Sequence, residues 1–242
     1  MRRSPDFAFG HAPHAASISG ALVLGLLAAN MALLQTVPAL LATGVFLAAA
    51  CLVLYLAAGA GVPRRFGAAN SVTLVRLALG CLLAGSLLDP GSSMVESGLA
   101  SALALGILAL DGLDGWLARR FGLETTFGGR FDMEVDAAVI AVLCILAWTL
   151  GRADAWVLLI GSMRYAFAAA GAVAPWLRAP LPPRRGRRLV CVAQMLALAI
   201  ALAPWTADQA SMVLALALST LMASFALDVA WLFRNARGRN QT

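Results

Sequence analysis

Residues 111–136 read DGLDGWLARRFGLETTFGGRFDMEVD and hold six of the chain's twelve acidic residues. Asp111, Asp114, Glu124, Asp132, Glu134 and Asp136 stand there among Arg119, Arg120 and Arg130. Their surroundings are of the opposite kind. Of the 242 residues 61% are hydrophobic and only 12% charged, with mean hydropathy +0.84. That composition lies outside the soluble globular range. The chain divides into apolar runs of membrane-spanning length, roughly 17 to 25 residues each. An all-α polytopic membrane protein is therefore expected, with a bilayer as the apolar solvent.

Eight spans are predicted, at about 18–36, 39–61, 70–88, 97–118, 129–150, 155–176, 189–204 and 211–233. Breakers separate them: Pro38, then Asp89-Pro90-Gly91, then Gly151-Arg152-Ala153-Asp154. Arg178 to Arg188, with Pro180, Pro182 and Pro183, reads as a loop. The start of the chain has basic residues before an apolar run, like a signal peptide. A second span follows almost at once, so an uncleaved first helix is expected.

All eighteen basic residues are arginine. A net charge of +6 and a pI near 10.1 suggest nucleic acid in a soluble protein, but arginines between spans are topology determinants. With the N-terminus inside, cytoplasmic segments collect fifteen arginines and the opposite face only Arg152, while Arg76 and Arg164 lie inside spans. Both termini are then cytoplasmic, and no nucleic-acid partner is expected. The cysteines Cys51, Cys81, Cys144 and Cys191 lie in or beside different apolar runs without a CxxC pair, which argues against zinc or a disulfide framework.

The acidic stretch spans a cytoplasmic turn between the fourth and fifth spans. Asp111 and Asp114 are three apart and share a helix face, and Asp132 and Asp136, four apart, share another. Glu134 is about 200° around the helix from Asp132 and points elsewhere. Helices joined by a short turn are antiparallel neighbours, so the four aspartates can converge at one depth. Carboxylates in a low-dielectric setting need opposing charge. Oxygen ligands without His or Cys suit magnesium, manganese or calcium. Two ions about 3.5–4 Å apart would form a clamp for a phosphoryl substrate. Gly115 and Ala118 share the side of Asp111 and Asp114 and leave room beside such ions, and Arg119 suits phosphate oxygens. Gly128 and Gly129 open the second helix, where free amides and the helix dipole favour anions.

These residues resemble the signature of the CDP-alcohol phosphatidyltransferase family: Asp-x2-Asp-Gly-x2-Ala-Arg, eight or nine residues, then Gly-x3-Asp-x3-Asp. The chain has Asp111, Asp114-Gly115, Ala118-Arg119, eight residues, Gly128, Asp132 and Asp136. Upstream, Asn70, Thr73 and Arg76 are similar to the Asn-x2-Thr-x2-Arg opening of the family's first core helix. The resemblance implies a six-helix core over residues 66–233, preceded by two extra transmembrane helices in 1–65 and followed by a basic tail over 234–242. It implies transfer of a substituted phosphate from a CDP-alcohol, CDP-diacylglycerol in first place, to a small polar alcohol with release of CMP. Two Mg2+ or Mn2+ ions are implied, one held by Asp111, Asp114 and Asp132 and the other by Asp111, Asp132 and Asp136. Asp136 is then also the candidate general base, and Gly115, Ala118, Arg119, Gly128 and Asp132 line the nucleotide site. A homodimer is expected on the same ground.

Arg164 falls near the middle of the sixth span, where an ionisable side chain is by default a functional candidate. It suits an anionic acceptor, or an acid such as Asp228. Arg76 is a second candidate acceptor contact, and glycerol 3-phosphate is the first acceptor such cations suggest. Two other readings fit the aspartates less well. An aspartate-motif intramembrane prenyltransferase uses motifs on distant helices, and an ion-coupled transporter places its site near mid-membrane between repeats. The expected setting is a multi-pass cell-membrane enzyme with its active site at the cytoplasmic face and lipid around it.

Overall fold

The computed structural model describes residues 68–87, 98–122, 125–179, 181–182 and 185–239. All regular structure among them is helical. Helix α1 spans Ala68–Ser86, α2 Leu99–Phe121, α3 Thr126–Thr149, α4 Leu158–Val173, α5 Arg185–Ala201 and α6 Ala210–Arg239. Short 3-10 turns over Ala155–Val157, Pro175–Arg178 and Pro204–Gln209 link the later helices. The two spans expected before residue 66 lie outside the described residues.

Among the described residues three helical segments are long and apolar enough to cross a membrane: Leu99–Trp116, Ala155–Val173 and Pro204–Ala236, with Asn70–Ser86 a shorter apolar helix. Large apolar side chains also face outward, among them Leu159 on α4 and Met212, Leu216, Met222 and Leu227 on α6. Such surfaces are costly in water and favourable in lipid. The protein is a membrane protein.

Helix ends depart from the expected spans at identifiable residues. The segment 178–188, read as a loop, is helical from Arg185, just beyond the last proline. Arg187 offsets the unfavourable cation at a helix N-terminus by pairing with Asp228 at 3.5 Å. At the other end α6 continues from the expected stop at 233 to Arg239, through the Pro-free run Arg-Asn-Ala-Arg-Gly-Arg.

The described chain forms two compact units. The first contains Ala109–Val135 together with α1 from Ala68 to Leu82. Gly122, at φ 61°, closes α2 in the left-handed conformation that ends helices, and α3 begins at Thr126. Thr125 caps α3: its Oγ1 accepts the Gly128 N–H at 2.9 Å. Phe127 and Phe131, both buried, stack with ring centroids 6.0 Å apart.

The second unit contains Leu83–Leu108 and the chain from Asp136 onward. Buried Gln194 of α5 donates to the Ala217 carbonyl of α6 at 2.8 Å and to Thr220 Oγ1 at 3.3 Å. Ser101 of α2 donates to the Ala199 carbonyl of α5 at 2.7 Å. These bonds replace the hydrophobic driving force that lipid does not supply between helices. Gly161 lets α4 approach α3, since a Cβ there would stand 3.1 Å from Ala141 Cα.

Candidate active site

The site in the first unit is built on three helices. On α1, Asn70, Thr73 and Arg76 recur every third residue and lie on one face. All three are buried. On α2, Asp111 and Asp114 share a face, and on α3 Asp132 stands in the second turn. The three aspartates each offer an oxygen within 4.8 Å of the others.

Arg76 lies against all three. Its Nη2 is 3.1 Å from Asp111 Oδ1, and its Nη1 is 2.8 Å from Asp114 Oδ2 and 2.6 Å from Asp132 Oδ1. Thr73 Oγ1 donates to the same Asp114 Oδ2 at 3.3 Å. Exposure rises outward through the cluster: the side chain of Arg76 is 0% exposed, Asp114 7%, Asp111 21% and Asp132 37%. The arginine is thus the floor, and the carboxylates open away from it. Sequence reasoning placed Arg76 with the acceptor; its described partners are the aspartates.

Three carboxylates this close suit a hard divalent cation. The donor set is all oxygen, and the outer two aspartates are accessible, as an exchanging ion requires. Asp136 lies one turn beyond Asp132 on α3, half-buried. It is not among the three residues whose oxygens converge. Glu134 is also outside that group, as its angular position on the helix predicts.

Gly128 does something other than present an open amide. Its N–H is taken by Thr125 Oγ1, and the Gly129 N–H bonds the Thr125 carbonyl at 3.0 Å. The expectation of two free glycine amides is therefore corrected: the cap and the first helical bond use them. The space beside the glycine is tight. A Cβ at 128 would lie 2.8 Å from Asn70 Oδ1 and 3.0 Å from Thr125 Oγ1. Gly128→Ala is expected to destabilise the protein by about 1–3 kcal/mol through overpacking. Thermal melts of the single variants and of Gly128→Ala with Asn70→Ala check this, because removing the Asn70 side chain should make the pair less than additive. Additive losses would show that the two positions do not press on each other.

Gly115 is half-buried on α2. Ala118 and Arg119 belong to the same helix, but their side chains are outside the description. Arg164, in the second unit, is half-buried on α4 with its guanidinium 5.7 Å from the Tyr165 ring centroid. Asp228 of α6 lies 3.5 Å from Arg187 of α5. Sequence reasoning gave no structural role to Asn70, Thr73 or Thr125. The signal was present in the three-residue spacing of Asn70, Thr73 and Arg76, which places them on one stripe.

The chain matches the model of the CDP-alcohol phosphatidyltransferase family over residues 66–221, more than half its length, and it belongs to that family. Neither a curated relative nor a solved structure matches it. Members transfer a phosphatidyl group from a CDP-alcohol to an alcohol, so the chain is a transferase. The prenyltransferase and transporter readings are set aside.

Proposed function

We propose that this chain carries out metal-dependent transfer of a phosphatidyl group from CDP-diacylglycerol to a small polar alcohol, releasing CMP. The observation that carries this reading is the convergence of Asp111, Asp114 and Asp132 inside the family's signature. A new bond forms between the acceptor oxygen and phosphorus while the bond from that phosphorus to the oxygen of CMP breaks. Asp111, Asp114 and Asp132 would hold one Mg2+ or Mn2+ ion, and Asp111, Asp132 and Asp136 the second. When bound, such ions stabilise charge on the phosphate and on the departing CMP.

The remaining work falls to the chain. Asp136 takes the proton of the acceptor hydroxyl as the new bond forms. Arg119 holds diphosphate oxygens, and Gly115, Ala118 and Gly128 give the nucleotide close access to the helices. The apolar tails of the donor stay in the bilayer while a polar acceptor arrives from the cytoplasmic face. Both termini lie on that face in this reading, and two copies of the chain assemble as a dimer.

Arg164 is the proposed contact for an anionic acceptor, with glycerol 3-phosphate the first to test. Arg76 is the second proposed acceptor contact, and its guanidinium also lies against the three carboxylates. If Arg164 bonds the acceptor, Arg164→Ala should raise the acceptor KM roughly 10–100-fold, the worth of a charge-assisted hydrogen bond. The donor KM should hold. An acceptor screen scored by CMP release, with lipid mass spectrometry of the products, tests both residue and substrate. Unchanged acceptor KM values for every alcohol would remove Arg164 from the site.

A further inference from the structure

We propose that Arg76 is a positioning residue for the metal-binding aspartates, a built-in counter-ion that gathers them in register for a divalent cation. The inference rests on the metal-dependent reading above and concerns this chain's own way of holding the cage.

Three observations support it. First, one guanidinium reaches three carboxylates that come from two other helices, 35 to 56 residues away in sequence. Carboxylates within 4.8 Å of one another repel, and in a low-dielectric setting a single well-placed cation offsets that repulsion. Second, the contacts include Asp111 Oδ1, Asp114 Oδ2 and Asp132 Oδ1. An ionised carboxylate has two oxygens and about four acceptor sites, so a bond to an arginine does not use up its capacity to ligate. Third, Arg76 is wholly buried while exposure climbs through Asp114 and Asp111 to Asp132. A cation arriving from outside meets the carboxylates before it meets the arginine.

Thr73 belongs to the same device. It stands one turn before Arg76 on α1 and donates to the same Asp114 oxygen that Arg76 takes. The two donors fix the rotation of that carboxylate, as hydrogen-bonded partners of metal ligands do elsewhere. An ordinary structural salt bridge needs neither three acceptors nor a second donor on one of them.

The test is Mn2+ binding, followed by electron paramagnetic resonance, to the full-length chain in detergent after metal stripping. Arg76→Met should weaken Mn2+ affinity about 10–100-fold, the usual cost of removing an outer-shell partner. Arg76→Lys should recover part of that loss, because one ammonium keeps the charge but not the planar fork. Thr73→Val, which keeps the shape and leaves every charge in place, should weaken binding by about 2–10-fold. It keeps the idea testable if Arg76→Met does not fold.

Wild-type affinity in both Arg76→Lys and Thr73→Val would overturn the proposal. So would tighter binding in Arg76→Met, which would make Arg76 a competitor of the ion. Asp132→Asn separates the two levels of the argument. If wild type binds Mn2+ and Asp132→Asn does not, yet the α1 variants match wild type, the role of Arg76 fails alone. If wild type binds no Mn2+, the metal-dependent reading fails and takes this role with it.

Discussion

Asp136→Asn is expected to lower turnover by about 10²–10⁴-fold, the usual contribution of a positioned general base, while donor binding is largely kept. The amide has the same shape as the carboxylate and cannot accept the acceptor's proton. Asp136 follows Asp132 by one helical turn on α3, so it lies ~6 Å further along the axis. The residues proposed to hold the nucleotide are at other positions: Asp132 one turn back, Gly115, Ala118 and Arg119 on α2, and Gly128 in the first turn of α3. Measuring kcat by CMP release alongside equilibrium binding of the CDP-alcohol separates the two effects. Turnover near that of wild type would take the proton-accepting role away from Asp136.

Asp114→Asn should combine loss of activity with the largest loss of stability among the site aspartates. Asp114 is the deepest of the three carboxylates, and both Thr73 and Arg76 donate to it. Neutralising it leaves the fully buried guanidinium of Arg76 with two more exposed partners, Asp111 and Asp132. Breaking a buried ion pair from one side costs roughly 3 kcal/mol at the lower end of the observed range. In a chain of this size that corresponds to an apparent melting temperature lower by about 6–12 °C. Asp111→Asn and Asp132→Asn should cost less stability, because solvent screens their charges more effectively. Their activity should fall as far, since all three carboxylates serve the same cation. Equal melting shifts for the three variants would contradict the depth order of the site.

The four spaced aspartates were legible because helical periodicity alone sets which of them share a face. Asp111 and Asp114 on α2 and Asp132 on α3 do meet, as their spacing predicted. The partner of the cluster was not legible. Arg76 lies on another helix far upstream, and only tertiary packing brings its guanidinium to the carboxylates. By composition it was one of two arginines inside apolar runs, and nothing local distinguishes a counter-ion from an acceptor contact.

Gly128 shows the same limit. Its place in the signature was plain, but the atom nearest a Cβ there is Oδ1 of Asn70, a residue of α1. The six described helices lie over the predicted core segments in order and approximate place, and three segments among them are long and apolar enough to cross a membrane. Their ends do not agree, because composition misleads where charge and helix coexist. Arg185, Arg187 and Arg188 read as loop beside three prolines, yet once the prolines are passed nothing prevents the helix from starting.

The central claim is that these aspartates serve phosphatidyl transfer from a cytidine donor. Its most direct test is CMP release by the purified chain in detergent, with CDP-diacylglycerol, an alcohol acceptor and Mg2+ or Mn2+. The account predicts acceptor-dependent CMP release that EDTA abolishes and that Asp111→Asn lacks. No CMP with any acceptor, or release that persists unchanged in EDTA, would contradict it.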